Sequence, residues 1–238
     1  MIHATDVLKM GLPELRKLQV DDFGVLMSRA EFDHILETCQ ALWLHSGKPQ
    51  DPHALLTSLR HSDGFVDTLR MLRYANLCMI MAQQVVLRLQ ECYDDRVDWV
   101  IGSDHAGATL SFAVAYLLGA KHDFSEKDPK NDKKQIWKRF EIEPGEVVLQ
   151  VEELVTTTQT LHAVRDAIRA GNSTPVQFAP IVMTLVHRSD TLEFEGGPIG
   201  HVVHYDIKSW TAEECPLCAG GSKVLPPKKN WLELTRKE

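Results

Sequence analysis

No stretch of the chain approaches the ~18 uninterrupted apolar residues that a membrane-crossing helix needs, so no span is expected. Met1 to Gly11 lacks the apolar core of an export signal, because His3, Asp6 and Lys9 interrupt it. Cysteine is scarce. Five residues in 238, an odd number, read as reduced thiols and exclude a disulfide framework. There is no excess of positive charge either: 26 lysines and arginines face 33 acidic residues, a net charge of −7, which excludes general nucleic-acid binding. No low-complexity tract and no internal repeat is visible, which excludes solenoids and fibrous chains. What remains is 44% hydrophobic and 25% charged residues, enough to bury one sizeable core. The expectation is a soluble cytoplasmic protein with neither a membrane nor a nucleic-acid partner.

Residues 1–28 read as an N-terminal extension punctuated by Gly11, Pro13 and Gly24. Ser28, with Glu31 three residues on, then signals a helix start. Phe32, Ile35, Leu36, Cys39, Leu42 and Trp43 fall on one face of that helix, and Gly47 with Pro49 should end it. Leu56 to Phe65 is polar and turn-rich. A second helix is expected from about Leu69 to Cys92, with Leu72, Leu77, Ile80, Met81, Val85 and Leu89 inward. From there the pattern becomes strand, loop, helix: an apolar run Val97–Ile101, a loop Gly102–Gly107, and a helix Thr109–Leu118 closed by Gly119. Lys121–Glu126 reads as a strand and the basic segment Lys127–Arg139 as a mobile loop. Pro144-Gly145 turns into a buried strand, Val147–Val151. A helix from about Leu161 to Ala170 and an apolar strand, Ile181–Val186, follow. Strands alternating with helices predict an α/β fold with a parallel sheet flanked by helices.

In such sheets ligands bind beyond the carboxyl ends of the strands. One end is rich in chemistry: Val147-Val148-Leu149-Gln150-Val151-Glu152-Glu153-Leu154-Val155-Thr156-Thr157-Thr158-Gln159-Thr160. Two carboxylates leave a buried strand, and a hydroxyl-rich turn opens a helix. Backbone N–H groups and threonine hydroxyls there would meet an anion, helped by the helix dipole, while the carboxylates would accept hydrogen bonds from sugar hydroxyls. A ribose phosphate fits. A solvated strand end with Thr160 as an ordinary N-cap fits these residues equally well.

The segment resembles the phosphoribosyl-pyrophosphate (PRPP) motif of type I phosphoribosyltransferases, in which an apolar strand, two acidic and two apolar residues precede Thr-Thr-Gly-Gly-Ser/Thr. Five further stretches are similar, in order, to bacterial orotate phosphoribosyltransferases. They are His61-Ser62-Asp63-Gly64-Phe65, Gly102-Ser103-Asp104-His105-Ala106-Gly107-Ala108, Phe140-Glu141-Ile142 with Pro144-Gly145, Val186-His187-Arg188-Ser189 and Glu214-Cys215-Pro216-Leu217-Cys218. The likeness spans roughly residues 30 to 230. Against it, Glu153 replaces an Asp, Thr158 and Gln159 replace the paired glycines, and Leu59 stands where a glycine is frequent. Glycine permits positive φ, so a threonine in its place implies a remodelled loop.

The resemblance implies a type I phosphoribosyltransferase fold with a helical N-terminal region, a core at about 69–190, and hood elements from 29–68 and 191–238. It implies transfer of phosphoribose to orotate with release of pyrophosphate, with Mg2+ as cofactor. Glu152 and Glu153 would hold the ribose hydroxyls, and Thr156, Thr157, Thr158, Gln159 and Thr160 the 5-phosphate. Ser103, Asp104, His105 and Lys127 would meet pyrophosphate, and Lys133 or Lys134 would close over it from the basic loop. Arg188 would pair with orotate's carboxylate, and Phe65 would stack on its ring or serve as core. A homodimer is implied as well. A purine or another pyrimidine as the base stays open at this point, as does a related protein that binds PRPP or a nucleotide without turnover. His201, His204, Cys215 and Cys218 have a spacing that suits four-ligand zinc, but the cysteines fit a packed turn or a dithiol equally.

Overall fold

The computed structural model describes residues 4–235. The chain opens with short helical turns, α1 (Ala4–Val7), α2 (Leu12–Leu15) and a 3-10 turn at Val20–Asp22. Helix α3 (Arg29–Thr38) begins at the expected cap: the Ser28 hydroxyl accepts from the Glu31 N–H, and Glu31 Oε2 accepts from the Ser28 N–H at 2.8 Å. It stops earlier than its apolar stripe suggests. Gln40 takes φ +57, and Leu42 and Trp43 lie instead in strand β1 (Leu42–Leu44), which pairs antiparallel with β4 (Gly64–Val66). Two adjacent apolar residues, Leu42 and Trp43, suit the edge of a helical stripe or a short strand alike, and tertiary pairing decided between the two. Between them, β2 (His53–Leu55) and β3 (His61–Ser62) form a hairpin, whose turn and second strand lie in the stretch read as turn-rich.

The expected second helix divides into α4 (Leu69–Leu72) and α5 (Ala75–Gln90), broken where Tyr74 adopts an extended backbone. Helix α5 anchors the N-terminal segment to the domain. The Asn76 side-chain amide donates to the Leu15 and Leu18 carbonyls, and buried Gln84 accepts from the Met27 N–H at 2.7 Å. Val7, Leu15, Leu18 and Phe23 belong to the main core, so the segment packs into the domain.

The central sheet is built from β5 (Trp99–Ser103), β6 (Lys121–Asp128), β7 (Asn131–Ile136), β8 (Val147–Val155), β9 (Gln177–His187), β10 (Glu193–Phe194) and β11 (Gly197–His204). Its order is β10-β11-β9-β8-β5-β6-β7, with β11, β9, β8, β5 and β6 parallel and one antiparallel strand at each edge. Strands β8 and β5 are covered on both faces, which explains their near-continuous apolar runs. Helices α5 and α6 (Ala106–Leu118) pack in the larger core. Helix α7 (Gln159–Ala170) covers the other face with Val164, Ala167 and Ile168 against Trp99, Ile101 and Val148. The register of β8 on β9 shifts between Val148 and Gln150, beside Pro180, which has no N–H to offer the ladder.

The basic segment read as a mobile loop is in fact the second half of a β6–β7 hairpin, with Glu126 opposite Ile136 and Lys127 opposite Gln135. Neither face of β7 is apolar, so alternation could not reveal it. Its base is anchored by Trp137, 4% exposed, whose indole N–H donates to the Phe140 carbonyl. The tail completes a small second sheet: β12 (Ser209–Trp210), β3, β2 and β13 (Val224–Leu225), in that order. It is dressed by α8 (Pro216–Ala219) and α9 (Trp231–Leu234). No helix of the described residues is long and apolar enough to cross a membrane.

Candidate active site

The parallel strands end at one side of the sheet, and the polar residues singled out above leave from those ends. A cleft of about 850 Å³ gathers Ser103 at the end of β5 with Asp104 and His105 after it, Lys127, Lys133 and Lys134 from the β6–β7 hairpin, Glu153 near the end of β8, and Gln159 and Thr160 at the start of α7. A second cleft, of about 790 Å³, gathers Thr156, Thr157, Phe65 and Arg188 with Arg60 and Lys208. The loop of residues 156–160 contributes to both.

The loop after β5 is folded tightly against β8. A Cβ on Gly102 would lie 2.6 Å from the Gly107 carbonyl oxygen and 2.8 Å from that of Val151; one on Gly107 would lie 2.7 Å from Glu152 Oε2. Glycine at these positions lets Glu152 reach the loop from beneath. Its carboxylate accepts from the Ser103 N–H at 3.0 Å and the Ser103 hydroxyl at 2.6 Å. Glu152 is 2% exposed and lines neither cleft. The structure therefore gives it the loop rather than solvent-side partners. Burial pushes its pKa up to about 8, against the pull of the Ser103 hydrogen bonds.

Glu153 points the other way, as successive residues of a strand must. It faces the first cleft, and burial raises its pKa to about 7, opposed by the backbone N–H groups of Leu154 and Glu153 and by Thr68. His105 opens α6 with φ +60, a conformation that costs a non-glycine residue ~1 kcal/mol or more, and its side chain stands out into the cleft. Opposite, Lys138 and Arg139 are both held by Glu126, at 3.1 and 3.2 Å, while Lys127, Lys133 and Lys134 face the cleft.

The altered phosphate loop is accommodated without left-handed backbone. Thr158 has φ −81, serves as the residue before α7 and lines neither cleft, and helix α7 begins at Gln159, two residues before the expected start. The loop thus keeps Thr158 out of the left-handed region that a glycine would permit. Leu59 shows the opposite solution. It holds φ +61 in the β2–β3 turn while 76% exposed, so this leucine bears the conformation usually left to glycine.

Arg188 follows β9 and faces the second cleft; burial lowers its pKa, with Asp63 opposing. Its Nε is buried without a hydrogen-bond partner among the described residues. Phe65 serves as core, packing on Trp231 at 9% exposure, and its remaining surface lines this cleft. Arg60, which donates to the Ser209 carbonyl at 2.6 Å, and Lys208 were missed from sequence; as single cations between polar neighbours they carry no pattern.

The zinc spacing in the tail does not survive. His201 stacks on His187, ring centroids 5.4 Å apart, and His204 lies tilted to it at 5.2 Å, the three on β9 and β11. Cys215 and Cys218 meet His53 and His61 instead. Distance along the chain was a poor guide, because the tail folds back over the β2–β3 hairpin.

No family model matches the chain. Among curated proteins, orotate phosphoribosyltransferase of Caldanaerobacter subterraneus subsp. tengcongensis is 31% identical over 175 residues, 74% of this chain and 87% of that protein. The enzyme of the same name from Thermus thermophilus is 33% identical over 181 residues, 76% of this chain and 94% of the relative. Among solved structures, orotate phosphoribosyltransferase from Aeropyrum pernix superposes with a TM-score of 0.51 at 18% identity, covering 71% of this chain and 91% of its own. That from Mycobacterium tuberculosis H37Rv gives 0.50 at 20% identity, covering 71% and 94%. These two likenesses bear on the fold.

Proposed function

This chain belongs to the orotate phosphoribosyltransferase family, and we propose that it joins orotate to the phosphorylated ribose of PRPP, releasing pyrophosphate. The observation that supports this most directly is the first cleft. Lys127, Lys133 and Lys134 share it with the backbone at Ser103–His105, the carboxylates of Asp104 and Glu153 and the Thr160 hydroxyl, groups suited to a sugar bearing several phosphates.

In this reading Glu153 accepts the ribose hydroxyls in its ionised form. The loop of residues 156–160 receives the 5-phosphate at the start of α7. The backbone at Ser103–His105 takes the pyrophosphate, and Glu152 acts as a positioning residue beneath it, holding Ser103 by two hydrogen bonds. Lys133 and Lys134 approach from the hairpin and neutralise charge on the departing pyrophosphate; Lys127 lies beside them. Arg188 pairs with the carboxylate of orotate, which would satisfy its unpartnered Nε, and Phe65 borders the ring. Because the transition state is cationic at the sugar, catalysis needs reactants held in line and charge balanced, and no protein nucleophile.

Mg2+ belongs to the proposal. Asp104 and Glu153 offer hard oxygen donors in a cleft roomy enough for the waters such an ion keeps. When bound, it would offset charge on the pyrophosphate and ribose oxygens. We extend the reading to a homodimer in the cytoplasm, the first part of which sedimentation of the purified chain tests directly.

The experiment mixes protein, orotate, PRPP and magnesium and follows loss of orotate absorbance. Turnover is expected. Arg188→Ala should raise the KM for orotate ~10- to 100-fold, the worth of a charged hydrogen bond. Lys133→Ala with Lys134→Ala should lower kcat by ~100-fold or more. PRPP binding without turnover of orotate would overturn the reading.

A further inference from the structure

Outside both clefts, four side chains from two distant parts of the chain turn toward one point. His53 and His61 sit on the β2–β3 hairpin. His61 pairs with Leu55, and His53 lies two residues before Leu55, so both imidazoles stand on the same face. Cys215 precedes α8 and Cys218 lies three residues on, one helical turn apart, with Pro216 fixing the start. The tail reaches the hairpin because β13 runs parallel to β2, where the His53 N–H donates to the Lys223 carbonyl at 2.8 Å.

The geometry points to a structural zinc site made by His53 Nε2, His61 Nδ1, Cys215 Sγ and Cys218 Sγ. These four ligand atoms lie within 4.8 Å of one another. A zinc ion with Zn–N of ~2.0 Å and Zn–S of ~2.3 Å in a tetrahedron would set N···N at about 3.3 Å and N···S at about 3.5 Å. The observed edges are 3.0 Å between the two imidazoles, 3.1 Å from His61 to Cys218, and 3.6 and 3.5 Å from His53 to Cys215 and Cys218. Each of these four edges lies within about 0.4 Å of the tetrahedral value.

The surroundings agree. His53 is 0% exposed, Cys215 2% and His61 7%, with Cys218 half-buried, so the site is closed and has no open position for substrate. The second nitrogen of His53 is engaged as metal-bound imidazoles usually are. Nδ1 lies 2.8 Å from the Ser222 hydroxyl, which itself donates to the Asp51 carbonyl at 2.6 Å. With its own proton committed to that carbonyl, the hydroxyl accepts from Nδ1–H, which leaves the Nε2 lone pair facing the ion. Two thiolates and two neutral imidazoles balance a divalent cation, so the buried complex is neutral. Soft sulfur with nitrogen in a tetrahedral set favours zinc over magnesium or calcium. Binding expels the two thiol protons to solvent as two S–Zn bonds form.

The consequence is mechanical. The ion ties the tail to the hairpin whose turn, Leu56 to Arg60, walls the second cleft. The metal site itself does not depend on the proposed reaction, and its test reads metal rather than activity.

Full-length protein, prepared without a histidine tag in zinc-supplemented medium, would be assayed for metal by mass spectrometry and for mercurial-released zinc with a chromogenic chelator. About one zinc per chain is expected. Cys215→Ser combined with Cys218→Ser should lose it, while His201→Ala combined with His204→Ala should keep it. Should the double cysteine variant fail to fold, cobalt loaded into the unaltered chain still decides. Intense visible bands of a tetrahedral ion with a thiolate-to-cobalt charge-transfer band support the site. The pale spectrum of an octahedral ion, a Cys215–Cys218 disulfide in freshly isolated protein, or zinc that persists without both cysteines would each overturn it.

Discussion

Replacing Glu152 by glutamine tests whether a buried acid beneath the loop after β5 is carried for function at a cost in stability. The carboxyl is 2% exposed and its pKa is pushed up to about 8 by burial, from an ordinary value near 4.5. The folded value lies above the unfolded one. The stability the protonated group contributes is therefore fully present below about pH 4.5 and is lost as the pH rises through about 8. Between pH 5 and pH 7 the unfolded chain ionises this residue while the folded chain resists, and the difference amounts to ~2–3 kcal/mol at 1.36 kcal/mol per unit. Glutamine keeps the shape. Its oxygen can accept from the Ser103 N–H, and its amide can donate to the Ser103 hydroxyl. The variant should accordingly gain on the unaltered protein by ~2–3 kcal/mol as the pH goes from 5 to 7, and level off above pH 8. Urea midpoints of both proteins at unit pH steps, converted with their own m-values, measure this directly. A difference that is flat in pH, or that shrinks as pH rises, would refute the reasoning.

Other consequences follow from particular residues. Leu59→Gly should raise stability by ~1 kcal/mol, since the leucine bears φ +61 while burying little, and a lowered urea midpoint would contradict that. Glu195→Ala should cost ~3 kcal/mol by stranding Arg165, whose side chain is 6% exposed and bonded to Glu195 at 2.7 Å. Arg169 and then Arg165 hold the Glu195 carboxyl down to about 2, so this contribution is present above about pH 4.5 and lost as the pH falls toward 2; the penalty should shrink in acid. PRPP affinity, measured by calorimetry, should weaken up to ~tenfold per unit as the pH drops below about 7, because Glu153 must be ionised to accept ribose hydroxyls. A Glu153→Gln variant should bind weakly at every pH, without that slope.

What the sequence determined by itself is what depends on neighbours along the chain. The capping box at Ser28, the two-sided apolar run of β8 and the order of strands and helices come from spacing and burial pattern. So does the conjunction of acidic residues and threonines at the end of β8. The same local logic reads Thr158 as incompatible with a left-handed turn, and the loop indeed avoids one. Tertiary structure alone decided the rest. Whether Leu42 and Trp43 continue a helix or form β1 depends on the partner strand β4, which local periodicity does not encode. The β7 hairpin has no apolar face to announce it, and only pairing with β6 holds it over the cleft. Glu152 and Glu153 are adjacent and alike in sequence; alternation along the strand sends one under the Ser103 loop and the other into the cleft. The cysteines met histidines more than 150 positions away rather than the pair nearby, since ligand geometry is set by where β13 lays the tail against β2 and not by separation along the chain.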